Sequence, residues 1–380
     1  MRPRSMLLDI LERASAKAVL EATPRVEHGR IVDYVHFPFL AVVNQREMKM
    51  ALLLAVINPR VGGVLLIGPR GTGKTTAVRG LVDLMPPIQR STCPYGCEPE
   101  AAYARGLDAV CRECAEKLAR GEPITAPDRM RLIELPLNAR LEDVVGGINE
   151  RVALEQQKIR LERGILSYAD RNILYVDEIN LLDDAIVNAI LDAAAQGRYT
   201  VRRGPLSSTY HARFVLIGSM NPEEGMLRPQ IMDRLGLRVI VNGLTNDKDR
   251  LEVYRRVRAF AEHPHDMLAL YAEETATLTQ EIADAKARLP EVVPTGPAER
   301  LALRLVRELQ IASHRAEFVL LEAARAHAAA DGRLKATVAD VRTVAPMALR
   351  QRRSEFMVRY FAQCAAEDEE IHAKIAAASC

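Results

Sequence analysis

A glycine-rich motif at residues 68–75, which reads Gly-Pro-Arg-Gly-Thr-Gly-Lys-Thr, fixes the local fold around it. An apolar run at residues 61–67 precedes the motif, and a helical pattern at residues 75–85 follows it. A strand, a glycine-rich loop and a helix in this order turn backbone N–H groups onto phosphate oxygens. Lys74 can then reach the β- and γ-phosphates, and the Thr75 hydroxyl can ligate Mg²⁺. The motif predicts that the chain binds a nucleoside triphosphate.

Other apolar segments of the chain have the length of buried strands. They lie, in order, at residues 132–135, 172–176, 213–218 and 237–241. Helical patterns separate them, such as the one at residues 184–195. Because alternating strands and helices form parallel sheets, we predict an α/β domain whose ligands bind at the carboxyl ends of the strands. After about residue 246 the strand signals vanish, which predicts a separate all-helical domain.

These patterns divide the chain into five segments, with a cysteine-bearing insertion at about residues 90–128 inside the second. The segments are a helical extension at 1–36, an α/β core at 37–245, connecting helices at 246–295, a helical lid domain at 296–353 and a helical tail at 354–380.

The composition is that of an ordinary globular protein, with 48% hydrophobic and 27% charged residues among 380. The formal net charge is only +2, so the charge gives no support for binding to nucleic acid. No apolar run approaches the roughly 18 residues needed to span a bilayer. Charges at Asp9, Glu12 and Arg13 interrupt any secretory core. We therefore expect a cytoplasmic protein, or one inside an organelle, without a targeting segment.

Polar residues follow two of the predicted strands. Asp177 and Glu178 come directly after residues 172–176, where an aspartate can hold Mg²⁺ and a glutamate can polarise the attacking water. Two acids after a strand are weak evidence alone, but together with the phosphate-binding motif they predict hydrolysis. Asn221 follows the next strand and can sense the γ-phosphate, although an asparagine before a proline is also a common turn former.

Several segments together resemble a known family, the AAA+ ATPase subunits of magnesium chelatase known as I subunits. The resemblance covers about residues 37–353 and is most specific at residues 218–237. The segments that carry it are residues 37–39, 42–45, 68–75, 135–139, 143–146, 176–182 and 218–237.

The resemblance implies a ring-forming ATPase, a hexamer in this family, whose site is completed by the neighbouring subunit. Asn221 would be sensor 1, and Arg234 would be the arginine finger supplied in trans. By its position, Arg228 is a second candidate for the arginine finger. The alternative role for Arg228 is a salt bridge inside its loop. Arg315 falls where the lid domain of the family carries sensor 2. The implied nucleotide-binding residues are Val43, Gln45, Gly68, Arg70, Gly71, Thr72, Gly73, Lys74, Thr75, Thr76 and Asp177, with Thr75 and Asp177 on the Mg²⁺ of Mg-ATP.

Four of the six cysteines are clustered in the insertion. Cys93 and Cys97 form a C-x₃-C pair, and Cys111 and Cys114 form a C-x₂-C pair thirteen residues later. Two short-spaced pairs at this separation are typical of a tetrahedral Zn²⁺ site that folds an insertion. An iron–sulfur cluster and four reduced cysteines are the alternatives. We predict a structural role, because neither pair has a neighbouring histidine.

The resemblance implies that ATP hydrolysis drives Mg²⁺ insertion into protoporphyrin IX by companion subunits, one D-type and one large porphyrin-binding H-type. The same core would also suit a cobalt chelatase subunit for cobalamin synthesis or a MoxR-type chaperone. A DNA-remodelling motor and a non-hydrolysing nucleotide-gated scaffold are further alternatives. The near-neutral charge opposes the first of these two, and Glu178 opposes the second.

Overall fold

The computed structural model describes residues 35–147, 161–204 and 206–378. The helical extension predicted at residues 1–36 lies almost entirely outside the described residues. The strands, in chain order, are β1 Val64–Ile67, β2 Ile88–Ser91, β3 Thr125–Asp128, β4 Leu132–Leu135, β5 Ile173–Val176, β6 Arg198–Arg203, β7 Leu206–His211, β8 Val215–Met220, β9 Leu237–Ile240, β10 Val293–Pro294 and β11 Lys335–Ala336.

Helices occupy most of the remaining described chain. In the first part of the chain they are α1 Arg46–Ile57, α2 Lys74–Leu81, α3 Pro99–Arg105, α4 Arg112–Ala119, α5 Leu141–Val145, α6 Ile165–Tyr168, α7 Asp184–Gln196 and α8 Pro229–Arg234. After β9 they are α9 Asp247–Glu262, α10 Pro264–Arg288, α11 Gly296–Glu308, α12 Arg315–Ala330, α13 Val338–Leu349 and α14 Glu355–Ala378.

The central sheet contains all five predicted strands. They are parallel throughout, in the order β4-β5-β8-β1-β9, so the predicted parallel α/β core is confirmed. β1 begins at Val64, later than the apolar run, because residues 59–61 form a turn of 3₁₀ helix. β5, β8 and β1 are neighbours, and their carboxyl ends therefore meet at one edge of the sheet.

Both faces of this sheet are covered, which explains why its strands are uniformly apolar. Along β1, Val64 and Leu66 pack into one apolar cluster with α1 and α2. Leu65 and Ile67 point to the opposite face and pack into a second cluster with α7 and α8. The alternation of side chains along a strand thus divides the core into two layers.

Two antiparallel hairpins lie outside the central sheet, and the sequence patterns did not indicate either. β2 pairs with β3 and encloses the cysteine-bearing insertion, whereas β6 pairs with β7 directly before β8. Their residues are mostly half-buried or exposed, so they lack the apolar runs by which the five core strands were recognised.

Among residues 247–378, the described part after the α/β core, the regular structure is helical except for the short parallel pair β10–β11. Arg352, just after α13, attaches this part to the core. Its side chain is fully buried and donates to the carbonyl oxygens of Leu235 at 3.0 Å and Gly236 at 2.8 Å. It also forms an ion pair with Asp233 at 3.0 Å. Within the described residues, no helix is both long enough and apolar enough to span a membrane.

We predict that Gly236→Ala destabilises the protein, whereas Gly243→Ala does not. A Cβ atom at Gly236 would lie 1.9 Å from the carbonyl oxygen of Val61, whereas one at Gly243 would meet no atom within 4 Å. The clash should lower the free energy of unfolding by about 1–3 kcal/mol. Urea unfolding measures both variants, and an equal midpoint for the two would contradict the close approach at Gly236.

Candidate nucleotide site

The phosphate-binding loop connects β1 to the first residue of α2, as the motif predicts. Gly71 and Gly73 have positive φ angles of 76° and 85°, which a side chain would make unfavourable. Lys74 is only 8% exposed, and its ammonium donates to the carbonyl oxygens of Gly68 and Pro69, both at 2.7 Å. Burial lowers the pKa of Lys74, and the nearby carboxylates of Asp177, Glu178 and Glu224 oppose that shift. These carboxylates help to keep the ammonium charged.

The Asp177 carboxylate lies at the centre of a hydrogen-bond network that joins two strands, β5 and β8, to helix α2. It accepts from the Tyr175 hydroxyl at 2.8 Å, from the Thr75 hydroxyl at 3.4 Å and, through a short hydrogen bond, from the Ser219 hydroxyl. The hydroxyls of Thr75 and Tyr175 are 2.9 Å apart. Thr75 and Asp177, the two predicted Mg²⁺ ligands, are therefore in direct contact. Hydroxyl and carboxylate oxygens are the donors that Mg²⁺ prefers, so this donor set fits the ion.

Glu178 begins the loop that follows β5. Its φ angle of 49° is left-handed, and its N–H donates to the Ser219 hydroxyl at 3.0 Å. Its carboxylate forms an ion pair with Arg70 of the phosphate-binding loop at 3.1 Å. Arg70 also contacts Glu224, which follows β8. The structure thus brings Glu178 to the phosphate-binding loop, where an attacking water would have to be activated.

Asn221 is buried at the carboxyl end of β8, two residues after Ser219. Its side-chain oxygen accepts from the Glu223 N–H at 3.3 Å and caps the short 3₁₀ turn at residues 222–224. In this geometry Asn221 has the turn-forming contact that we kept as the alternative. Its sensing role stays a prediction.

The other nucleotide residues implied by the resemblance surround this loop. Gln45 has a left-handed φ of 51° and donates to the Asn242 carbonyl at 2.8 Å, at the end of β9. Thr72 donates to the Pro69 carbonyl at 3.0 Å. Val43 is half-buried and Thr76 is exposed on α2. Their contacts with nucleotide remain predictions.

The arginines predicted to act on the γ-phosphate form ion pairs on their own chain. Arg234 ends α8 and lies 2.5 Å from Asp192 of α7. Arg228 lies 2.7 Å from Asp184 at the start of α7, so its salt bridge joins two elements and does not lie inside its own loop. Arg315, on the helical part, lies 3.4 Å from Asp233, next to Arg234.

Sequence reasoning missed three residues of this site. Tyr175 and Ser219 lie inside apolar strands and Glu224 ends a short 3₁₀ turn, so no motif identifies them. An alternation of polar and apolar residues at the strand ends is the signal that could have found Ser219.

Comparisons with known proteins decide the family. The family described as magnesium chelatase, subunit ChlI, matches residues 149–246, and the AAA lid domain matches residues 300–374. A magnesium-chelatase subunit ChlI homolog of Methanocaldococcus jannaschii is 42% identical over 329 residues, which cover 86% of this chain and 88% of the relative. The chain belongs to the ChlI family of magnesium-chelatase subunits. It is an AAA+ ATPase with an α/β domain and a helical lid.

A second relative supports this assignment, and a solved structure has a similar fold. The magnesium-chelatase 38 kDa subunit of Acidiphilium rubrum is 43% identical over 317 residues, which cover 83% of this chain and 90% of the relative. A crystal structure of a Cytophaga hutchinsonii protein is 19% identical and covers 82% of this chain and 83% of its own. Its TM-score is 0.53, and it shows a likeness of fold alone.

The four clustered cysteines of this ChlI-family chain converge as their spacing predicts. Their sulfur atoms all lie within 4.8 Å of one another, and three of the four side chains are buried. Backbone N–H groups donate to two of these sulfurs, from Cys97 to Cys93 at 3.4 Å and from Cys111 to Cys97 at 3.2 Å. Burial opposes ionisation of Cys93, but hydrogen bonds from the Ser91 hydroxyl and nearby backbone N–H groups lower its pKa to about 7. This donor set fits a thiophilic metal ion.

We predict that Ser219→Ala lowers ATP turnover but leaves ATP binding intact. The change removes the hydroxyl that donates to Asp177 and accepts from the Glu178 backbone. Loss of a buried hydrogen bond costs about 1–3 kcal/mol, which corresponds to roughly a 5- to 150-fold slower turnover if the whole effect falls on the transition state. Ser207→Ala, on the exposed face of β7, is the matched control. Equal turnover numbers for the two variants would contradict the role of Ser219.

Proposed function

We propose that this chain is the ATP-hydrolysing subunit that drives Mg²⁺ insertion into protoporphyrin IX by companion chelatase subunits. The observation that carries the proposal is the direct contact of Thr75 with Asp177 beside the buried Lys74. This contact joins the phosphate-binding loop to the strand that carries the hydrolytic acid. Membership of the ChlI family supports the proposal that the hydrolysis drives magnesium chelation.

The residues of the site have separate tasks in ATP hydrolysis. Lys74 would exchange its two carbonyl contacts for phosphate oxygens of ATP, because a phosphate is a stronger acceptor for an ammonium than a carbonyl. Thr75 and Asp177 would hold the Mg²⁺ of Mg-ATP, which neutralises charge on the β- and γ-phosphates. Glu178 would accept a hydrogen bond from the attacking water and orient it toward the γ-phosphate. Arg70, its ion-pair partner, would turn to the incoming phosphates and leave the carboxylate free.

The assembly belongs to the same proposal. Arg234 lies at the end of α8, about one third exposed and paired with an exposed aspartate, so a neighbouring subunit could draw it to its own γ-phosphate. An arginine supplied across an interface stabilises the transition-state charge and makes turnover depend on assembly. We propose a hexameric ring with Arg234 as the trans finger, and companion D-type and H-type subunits as its partners.

The lid contributes Arg315, which we propose as sensor 2. Its contact with Asp233 places it one residue from the proposed finger. Arg352 holds the other carboxylate oxygen of the same aspartate. If Arg315 leaves Asp233 for the γ-phosphate of its own subunit, the segment that carries Arg234 loses one of its contacts with the lid, while those of Ser313 and Arg352 remain.

We propose that the four-cysteine centre holds a structural Zn²⁺, a third cofactor besides ATP and Mg²⁺. Thiolates bind Zn²⁺ with Zn–S distances of about 2.3 Å in a tetrahedron, which places the sulfurs roughly 3.8 Å apart. The observed convergence within 4.8 Å needs only small movements to reach that arrangement. Four sulfur ligands close the coordination shell, which is typical of structural zinc and leaves no position for a reacting water.

We predict that Glu178→Gln stops ATP turnover while ATP still binds. Glutamine keeps the size of the side chain but cannot act as a base, so turnover should fall by at least about 100-fold. Glu224→Gln is the matched control, because Glu224 also contacts Arg70 but has no proposed part in water activation. A phosphate-release assay with nucleotide titration measures both variants. Surviving turnover in Glu178→Gln would contradict the assignment of the base.

We predict that Arg234→Ala and Lys74→Ala are each inactive and that their mixture recovers part of the activity. In a mixed ring, a Lys74→Ala subunit supplies the finger to a neighbour whose own phosphate-binding loop is intact. Arg228→Ala mixed with Lys74→Ala is the control for the rival arginine. The assignment of Arg234 as the trans finger would be overturned if neither mixture recovers ATPase activity. It would also be overturned if Arg234→Ala is active alone.

The client is tested by reconstitution with the D-type and H-type subunits. We expect ATP-dependent formation of magnesium protoporphyrin, followed by its fluorescence, and no product with the Glu178→Gln variant. Insertion of Co²⁺ into a corrin precursor instead would favour the cobalt chelatase alternative. ATPase activity that stimulates neither reaction would point to a chaperone client.

A further inference from the structure

The loop between Cys93 and Cys97 is also the surface by which the cysteine insertion attaches to the core. The Tyr95 carbonyl accepts from the His211 N–H at 3.1 Å, and the Tyr95 ring stacks on Tyr210 at 5.5 Å. Gly96 lies so close to β7 that a Cβ atom there would be 2.9 Å from the His211 Cβ. The same short loop therefore carries two sulfurs and contacts the hairpin that leads into β8.

Glu98, the residue after Cys97, lies between two arginines of the core. Its carboxylate lies 2.5 Å from Arg213 and also forms an ion pair with Arg171. The Arg171 N–H donates to the Arg213 carbonyl at 2.6 Å, so the two backbones are already adjacent. Burial lowers the pKa of Arg171, and repulsion by Arg213 and Arg90 adds to that shift. Glu98 therefore bridges two like charges that the core holds close together, and Asp170 adds a second carboxylate 3.6 Å from Arg213.

Arg171 and Arg213 each lie two residues before a catalytic strand. Arg171 precedes β5, which leads to Asp177 and Glu178, and Arg213 precedes β8, which carries Ser219 and leads to Asn221. Six residues of extended chain span about 20 Å, so the cysteine centre lies at the opposite end of these strands from the phosphates. A metal at the cysteines is too distant to take part in phosphoryl transfer.

The insertion has little else to keep it folded. Its apolar cluster consists of the four cysteines and only three other residues, Ile124, Val110 and Leu118. Segments with so small a core usually depend on a metal or a disulfide for their fold. Loss of the metal would therefore free the loop at residues 94–96 and remove Glu98 from its two arginines.

We infer that a metal ion at the four-cysteine centre holds the amino-terminal ends of β5 and β8 through Glu98, so that ATP turnover depends on a metal that never contacts the nucleotide. The inference rests on the proposed Zn²⁺ site and adds the role that the bound metal has in this protein. Glu98 is a positioning residue in this account, since it acts on the strands and not on the substrate.

The test is Glu98→Gln, which removes the carboxylate charge but leaves all four thiols in place. We expect the variant to retain one zinc per chain and wild-type affinity for ATP, with kcat lowered about three- to tenfold. Hydrogen exchange should become faster at residues 171–176 and 213–218 and stay unchanged at residues 64–67. A merely local structural role would leave kcat and the exchange of these strands unchanged. Glu113→Gln is the matched control, because its exposed pair with Lys117 lies in the same insertion but does not contact the core.

Cys97→Ser is the second variant, and zinc analysis of the purified protein accompanies it. We expect Cys97→Ser to lose zinc and to show the same loss of kcat as Glu98→Gln. A wild-type chain without bound metal, under reducing conditions and with zinc supplied, would overturn the zinc proposal. If Glu98→Gln binds zinc and has the kcat and hydrogen exchange of the wild type, the coupling to the strands is overturned. The zinc proposal would then still stand. Neither result depends on the assignments of Glu178 and Arg234.

Discussion

The Asp177 carboxylate is the interaction on which the rest of this site depends. It accepts hydrogen bonds from residues on β5, α2 and β8, so one side chain sets the distance between the phosphate-binding loop and two strands. Asp177 is half-buried, and a carboxylate partly removed from water needs such partners, because an unpaired charge away from water is very costly. The same geometry that satisfies the charge also collects the oxygen atoms that a magnesium ion requires. Stability and metal binding therefore use the same contacts.

A second constraint lies at the boundary between the α/β domain and the lid. Asp233 pairs with Arg315 and Arg352, two lid residues, and is followed directly by Arg234. The fully buried Arg352 also binds the backbone after Arg234, which fixes the end of α8. A lid that moves with nucleotide would carry this segment with it. In the proposed ring, nucleotide binding at one site would thereby move Arg234, which acts at the site of the neighbouring subunit.

The sequence predicts the core of the fold well because both faces of the sheet are buried. Strands such as β1 and β5 are apolar at every position, and the loops between them carry recognisable motifs. The β6–β7 hairpin was missed because its residues alternate between exposed and half-buried positions and include several arginines. The contact of Ser219 with Asp177 depends on β8 lying beside β5, which chain order alone does not reveal. Cysteine spacing predicted the convergence of the sulfurs. It did not predict the ion pairs of Glu98 with Arg171 and Arg213, which precede strands β5 and β8.

The most direct test of this account is the Mg²⁺ dependence of ATP hydrolysis by Asp177→Asn. An amide keeps the size of the side chain but loses the charge that holds the ion, while the neighbouring hydroxyls can still form hydrogen bonds to it. We expect a folded protein with a thermal midpoint within a few degrees of wild type, and with hydrolysis that is lost or requires far more Mg²⁺. Hydrolysis with the wild-type rate and Mg²⁺ requirement would contradict the central role of Asp177.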